Sequence, residues 1–176
     1  MNPDESKAEP TPPAPLPEAK PKLGELAARY VDAYRPGDWA QALAELRAAR
    51  RMGSKSSLLA LIADCERGRG RPERAIELAR GPEAAQLSGD DADELRIVAA
   101  GARADLGQIE QALTVLSTPQ LLTGRTGSTA ALLYYAYADT LLVLDRKDEA
   151  LEWFLRSAAA DTEGVTDAED RVSELG

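Results

Sequence analysis

Four short breaks recur along this chain with the same grammar: Gly37-Asp-Trp-Ala-Gln-Ala42, Gly70-Arg-Pro-Glu-Arg-Ala75, Gly107-Gln-Ile-Glu-Gln-Ala112 and Asp145-Arg-Lys-Asp-Glu-Ala150. Each follows a stretch with apolar residues at three-and-four spacing and precedes another such stretch, which predicts a helical hairpin at every break. The alanines at 42, 75, 112 and 150 stand 33, 37 and 38 residues apart. A turn and a small residue repeating at this interval constrain the chain to a stack of two-helix units, because no single unit can bury its apolar face alone. Alanine just inside the second helix lets that helix approach the first closely. The residue four positions on (Leu46, Ala79, Leu116, Phe154) then occupies the space below.

The composition agrees with this. Apolar residues make up 44% of the 176 residues and aromatics only 5%, so the core has to be built largely from alanine and leucine, as close-packed helices allow. Residues 1–22 carry seven prolines (Pro3, Pro10, Pro12, Pro13, Pro15, Pro17, Pro21) among Glu, Lys and Ala, and are expected to form an extended tail. Pro12-Pro-Ala-Pro-Leu-Pro17 leaves open a polyproline ligand beside the plain spacer. Helical periodicity runs from Leu23 to Tyr34 and again after Asp38, a good N-cap, and Ser56 or Ser57 can cap the next helix. Further helices are expected with Pro72 in a first turn, over 91–105, after Gly107, over 129–144 and over 147–160. Thr166-Asp-Ala-Glu169 reads as a capping box opening a short last helix, with Val165, Ala168, Val172 and Leu175 on one face. The domain plan is thus a tail over 1–22, a repeat domain over 23–161 and an acidic capping helix over 162–176.

These units resemble the tetratricopeptide repeat family, whose period is 34 residues. The last unit carries the likeness best: Tyr134, Tyr137-Ala138 and Leu141 occupy the large, large-small and large sites of its first helix, with Asp145 at the usual turn glycine. The third unit departs most, because Arg96 and Arg103 stand where apolar residues are expected. Glu45-Leu-Arg-Ala-Ala-Arg-Arg-Met52, Ala63-Asp-Cys-Glu-Arg-Gly68, Arg71-Pro-Glu-Arg-Ala-Ile-Glu-Leu-Ala-Arg80 and Tyr135-Ala-Tyr-Ala-Asp139 resemble, more narrowly, a group of actinobacterial repeat proteins without an assigned activity. The resemblance implies an all-α, right-handed superhelical solenoid of about four hairpins plus the C-terminal capping helix. It also implies that the first helix of each unit lines a concave groove. Carried over residue by residue, the groove positions are Ala27, Val31 and Tyr34; Ala60, Asp64 and Arg67; Glu94, Ile97 and Gly101; and Tyr135, Asp139 and Leu142. Of these, Tyr34, Asp64, Arg67, Glu94, Ile97, Tyr135 and Asp139 form the expected protein-binding set. Several of them are equally placed to pack against the tail or the last helix.

Little in the chain suggests catalysis. It has no histidine, which excludes Ser-His-Asp, Cys-His and His-containing metal sites, and no cofactor or metal is expected. Asp64, Glu66, Asp139 and Asp145 do not follow a ligand spacing. Gly53-Ser-Lys-Ser-Ser57 echoes the end of a phosphate loop but lacks the earlier glycine and the preceding strand. Cys65, the single cysteine, lies in an apolar run and reads as a small buried side chain. The start lacks the basic and apolar regions of a signal peptide, and Asp139 interrupts the longest apolar run, so a cytoplasmic protein without membrane contact is expected.

The net charge of −9 argues against nucleic acid as a partner. The charge is uneven, however. Arg47, Arg50, Arg51, Lys55, Arg67, Arg69, Arg71 and Arg74 form a basic section, and the end from Asp161 to Glu174 is acidic with only Arg171 opposing. This dipole leaves weak head-to-tail self-association open. The expected function is a non-catalytic interaction scaffold that takes a peptide or helix of an unknown protein in its groove. The alternative is an accessory regulator binding nucleic acid or a nucleotide through the section Arg47–Arg74.

Overall fold

The structure, a computed structural model, describes residues 39–51 and 58–176. The tail, the helix expected over 23–34, the groove positions Ala27, Val31 and Tyr34, and the candidate caps Ser56 and Ser57 lie outside the described residues. Within them the chain forms eight α-helices and no strand. They are α1 (Trp39–Arg51), α2 (Leu59–Gly68), α3 (Pro72–Arg80), α4 (Gly89–Asp105), α5 (Ile109–Leu116), α6 (Ser128–Val143), α7 (Lys147–Ala160) and α8 (Ala168–Leu175). The longer connections carry two short 3-10 turns, Ala84–Gln86 and Pro119–Leu122.

The three described turns inside the pairs share one geometry. At each, the helix ends on a residue of positive φ: Gly70 (73°), Gly107 (72°) and Asp145 (59°). The following N–H reaches back five residues, from Arg71 to the Glu66 carbonyl, Gln108 to Arg103 and Arg146 to Leu141, at 3.0, 2.8 and 3.0 Å. This is the six-to-one bond of a Schellman ending, which satisfies carbonyls the helix leaves open. Glycine enters the left-handed region without a steric cost, and aspartate is among the few other residues that tolerate it. Five residues past each such residue lies an alanine with no room around it: Ala75 is 0% exposed, Ala112 1% and Ala150 0%. Ala42 on α1 is equally enclosed. Below them Leu46, Leu116 and Phe154 are buried, whereas Ala79 is only half-buried.

The buried apolar residues form successive clusters, each shared by neighbouring helices. One joins α1 to α2, through Leu43, Leu46 and Ile62. A second joins α2, α3 and α4 through Leu59, Ile76 and Leu95. A third lies among α4, α5 and α6, around Leu116, Leu133 and Tyr134. The last holds Leu141, Ala150, Phe154 and Ala168 between α6, α7 and α8. Helices accordingly touch their sequence neighbours, and α2 also touches α4, as α4 touches α6. Most of the aromatic residues gather at the C-terminal end. Trp153 packs on Tyr134 and Tyr137 with ring centres 5.7 and 4.9 Å apart, and Tyr135 meets Phe154 edge-on at 5.2 Å.

Two arginines that look misplaced by pattern have polar partners. Arg96 bonds Asp93 at 2.5 Å, one turn away on α4. Arg103, only 9% exposed, donates across the turn to Gln108 Oε1 at 2.8 Å. The capping box expected at Thr166 is not made. α8 starts after Asp167, and the Thr166 hydroxyl donates to Asp161 Oδ2 at 2.7 Å instead. Asp161 also accepts from the Val165 and Thr166 amides, and a carboxylate with three donors outcompetes a distant helix end. Burial acts to raise the Asp161 pKa, but the hydrogen bonds from Val165, Thr166 and Glu163 together hold it below its ordinary value.

Candidate functional site

The first helices of the pairs, α2, α4 and α6, lie side by side in the order of the chain. Their shared face is where the expected binding residues fall, and it divides into three places.

Between α2 and α4, Arg67 reaches across to Asp105, with Nε 2.5 Å from Oδ2 and Nη2 3.2 Å from Oδ1. Its Nη1 lies 3.6 Å from Asp64 Oδ1, so one guanidinium serves two carboxylates. The crossing depends on Gly101: a Cβ there would stand 2.8 Å from the Arg67 Cζ and Nη1 atoms, too close for any side chain to be added without moving the arginine. Burial raises the Asp64 pKa, and Arg67 pulls it back. The Asp105 hydrogen bond raises that of Arg67, against burial. Ala60, expected in the groove, is instead core: it is 2% exposed and packs among the residues joining α2 to α4.

Between α4 and α6, Glu94 is pushed up to about 7, first by burial and then by Asp91 and Asp90, while a hydrogen bond with Thr129 works against the shift. A carboxyl group in this position changes charge near neutrality. Ile97, a turn further on, is half-buried against the cluster that holds Leu133 and Tyr134.

At the third place, Tyr135 and Leu142 are half-buried against α8, and the exposed Asp139 meets its Arg171. Burial and a hydrogen bond to the Asp167 carboxylate push the Tyr135 phenol up to about 12. Arg171 on α8 stands 3.4 Å from Asp139 Oδ1, and its Cζ lies 5.3 Å from the Phe154 ring centre. Leu142 is half-buried in the same cluster as Ala168 and Val172. The structure thus brings Asp64 and Arg67 together, sets Glu94 and Ile97 on the adjoining helix, and turns Tyr135 and Asp139 toward the chain's own last helix.

Pattern reading missed Asp105, Thr129 and Asp167, the partners that fix these side chains. Asp105 had a signal: it sits two residues before its turn glycine, as Arg67 sits three before Gly70, so the two hold neighbouring register positions in successive units.

Away from this face, several described arginines of the basic section have carboxylate partners. Arg47 bonds the buried Glu66 at 2.6 Å, Arg71 lies 3.9 Å from the same carboxylate, Arg50 pairs with Glu83 and Arg74 with Glu77. Burial pushes the Cys65 thiol up to about 11, helped by Asp64 and Glu66, which disfavours the thiolate form at neutral pH. Among the described residues no three acidic or cysteine side chains converge as a metal ion would need, and no helix is long and apolar enough to cross a membrane. Comparisons of the chain with models of known families, with curated proteins and with solved structures find no match.

Proposed function

We propose that the chain is a right-handed superhelical solenoid of about four tetratricopeptide-type hairpins, closed by α8, acting as a non-catalytic scaffold for protein partners. The observation that carries the reading is the repetition of one turn. Gly70, Gly107 and Asp145 share a left-handed conformation, a six-to-one hydrogen bond and an enclosed alanine five residues on. Repeated turns of this kind align the first helices into a single face, and extended faces of helical repeats are suited to laying down a peptide or helix.

On this reading the binding face centres on the α2–α4 region, with Asp64, Arg67, Glu94 and Ile97, while at the other end α8 engages Tyr135 and pairs Arg171 with the still-exposed Asp139. Opposite charges alternate there beside one apolar side chain. A partner segment of mixed charge with one apolar anchor matches it. The carboxylates facing Arg47, Arg50, Arg67, Arg71 and Arg74 favour this reading over phosphate binding, which relies on cations free to displace counterions.

The test is capture from a cytoplasmic lysate with the full chain, followed by the same capture with Arg67→Glu combined with Glu94→Arg. Species recovered by the wild type should be lost with that variant and kept with Glu152→Lys, an exposed α7 control, while circular dichroism stays unchanged. Retention of every species by the charge-reversed face would refute the binding surface.

A further inference from the structure

On the far side of the α3–α4 packing lies a cavity of about 290 Å³, bounded by α3, the connection over 84–87, α4 and Val115 of α5. Its size is near the small end of ligand sites, which run roughly 300–1,000 Å³. The floor is apolar, with Ile76, Leu95 and Val115, and small side chains such as Ala92 leave the room open.

The charge on its walls is unusual for this protein. The chain carries 30 acidic and 21 basic residues, yet the cavity is lined by Arg80, Arg96 and Arg103 and by no carboxylate. Arg96 is neutralised by Asp93 at 2.5 Å. Arg103 is not: it is only 9% exposed and its side-chain hydrogen bond goes to Gln108, a neutral acceptor. No described carboxylate lies within ion-pair distance of Arg103 or of Arg80. A guanidinium on a largely buried residue whose remaining N–H groups have no described protein partner gains when a planar oxyanion meets it in bidentate fashion.

We infer that this cavity binds a small amphiphilic carboxylate, its oxyanion between Arg80 and Arg103 and its short apolar body against Ile76, Leu95 and Val115. The site lies apart from the binding face proposed above and does not depend on it. Guanidinium groups supply the anion specificity, and the apolar floor separates such a molecule from a bare inorganic anion. The floor also joins α3 to α4, so an occupant would brace the contact between two successive helix pairs.

Octanoate is the probe, titrated calorimetrically into the full chain beside octanamide, its neutral counterpart, and inorganic phosphate. Octanoate should saturate in the low millimolar range or tighter, with octanamide and phosphate each at least about tenfold weaker. Arg80→Gln, at an exposed position, should weaken octanoate by about tenfold. Ala92→Leu should fill the cavity and remove binding, with helical circular dichroism retained. Amide shifts at Ile76, Ala99 and Val115 should follow the titration. The inference is overturned if octanoate does not saturate, or if octanamide or phosphate binds as well as octanoate. It also fails if Arg80→Gln binds like the wild type. Should Ala92→Leu fail to fold, the Arg80→Gln and octanamide comparisons decide alone.

Discussion

Exchanging bulk across one hairpin tests the packing at its tightest point. Ala150 and Leu141 are both 0% exposed and share a cluster with Leu113, Phe154 and Ala168. Ala150→Leu adds three carbons where the neighbours have no solvent side to move into. Burying them would yield up to about 2.4 kcal/mol if space existed. It does not, and overpacking of a closed core costs about 1–3 kcal/mol net. Leu141→Ala alone opens a cavity and costs about 2–5 kcal/mol. If the two side chains meet across the hairpin, the added leucine fills part of what the deletion empties. The double variant should then be less destabilised than the sum of the singles by at least about 1 kcal/mol. Urea melts followed by circular dichroism supply the three free energies, with Ala159→Leu, on the exposed side of α7, staying within about 0.5 kcal/mol of wild type. Additivity within about 0.3 kcal/mol would mean that Ala150 and Leu141 do not share a space, and the register that pairs α6 with α7 would fall with it.

Glu94 makes stability depend on pH in the direction opposite to an ordinary paired carboxylate. Its folded pKa is raised to about 7, so the folded state holds a proton that the unfolded chain has released. Its contribution is present below the unfolded value and is lost as pH rises to about 7. Glu94→Gln should therefore flatten the fall in melting temperature between pH 5 and 8, by the equivalent of about 1 kcal/mol once screening at a partly exposed site is discounted; an unchanged pH profile would remove Glu94 as its source. The Arg47–Glu66 pair is lopsided, since the arginine side chain is 46% exposed and the glutamate 2%. Arg47→Met, which strands a buried charge with only Arg71 nearby at 3.9 Å, should cost about 2–3 kcal/mol, more than Glu66→Gln, and the reverse ranking in urea would contradict that burial. The Cys65 thiol should react with a disulfide reagent at neutral pH only at the rate of unfolding, so a fast reaction in the native state would overturn its enclosure.

Helix positions were legible because their signals are local. Pro72 in a first turn, glycine or aspartate at a helix end and an apolar stripe all act within a few residues, and α3, α5 and α7 begin where those signals put them. The enclosed alanines were legible for the same reason, through their fixed distance from the turn. What could not be read locally was which face of a first helix stays open. Tyr135 and Asp139 have the spacing of groove residues, yet the same spacing serves a face on which α8 half-buries Tyr135 and pairs with the exposed Asp139. Of the expected stripe, Ala168, Val172 and Leu175 lie on α8 and pack inward, whereas Val165 precedes the helix and is exposed, and the spacing did not say against what the helix would pack. Arg103 shows the converse limit. By pattern it broke the register of its unit, and only the turn that brings Gln108 beside it accounts for a buried guanidinium at an apolar position.

Polar contacts join successive helix pairs as the apolar ones do. Arg67 meets Asp105 at a separation of 38 residues, Arg125 meets Asp93 at 32, and Arg171 meets Asp139 at 32. Each ties a helix of one pair to a residue in or just before a later helix, so ion pairs recur along the stacked helices. If the chain acts as the proposed scaffold, this arrangement has a cost for any ligand. A charged partner approaching Arg67 has to compete with Asp105 and Asp64, which already hold that guanidinium from two helices. An arbitrary acidic segment therefore gains little, because it exchanges one carboxylate contact for another. Favourable exchange requires a segment that engages Arg67 while also giving the released carboxylates a cation and seating an apolar group by Ile97. On the proposed reading, a self-paired face would discriminate between partners more than attract them, which is the contribution complementary charge makes at protein interfaces in general.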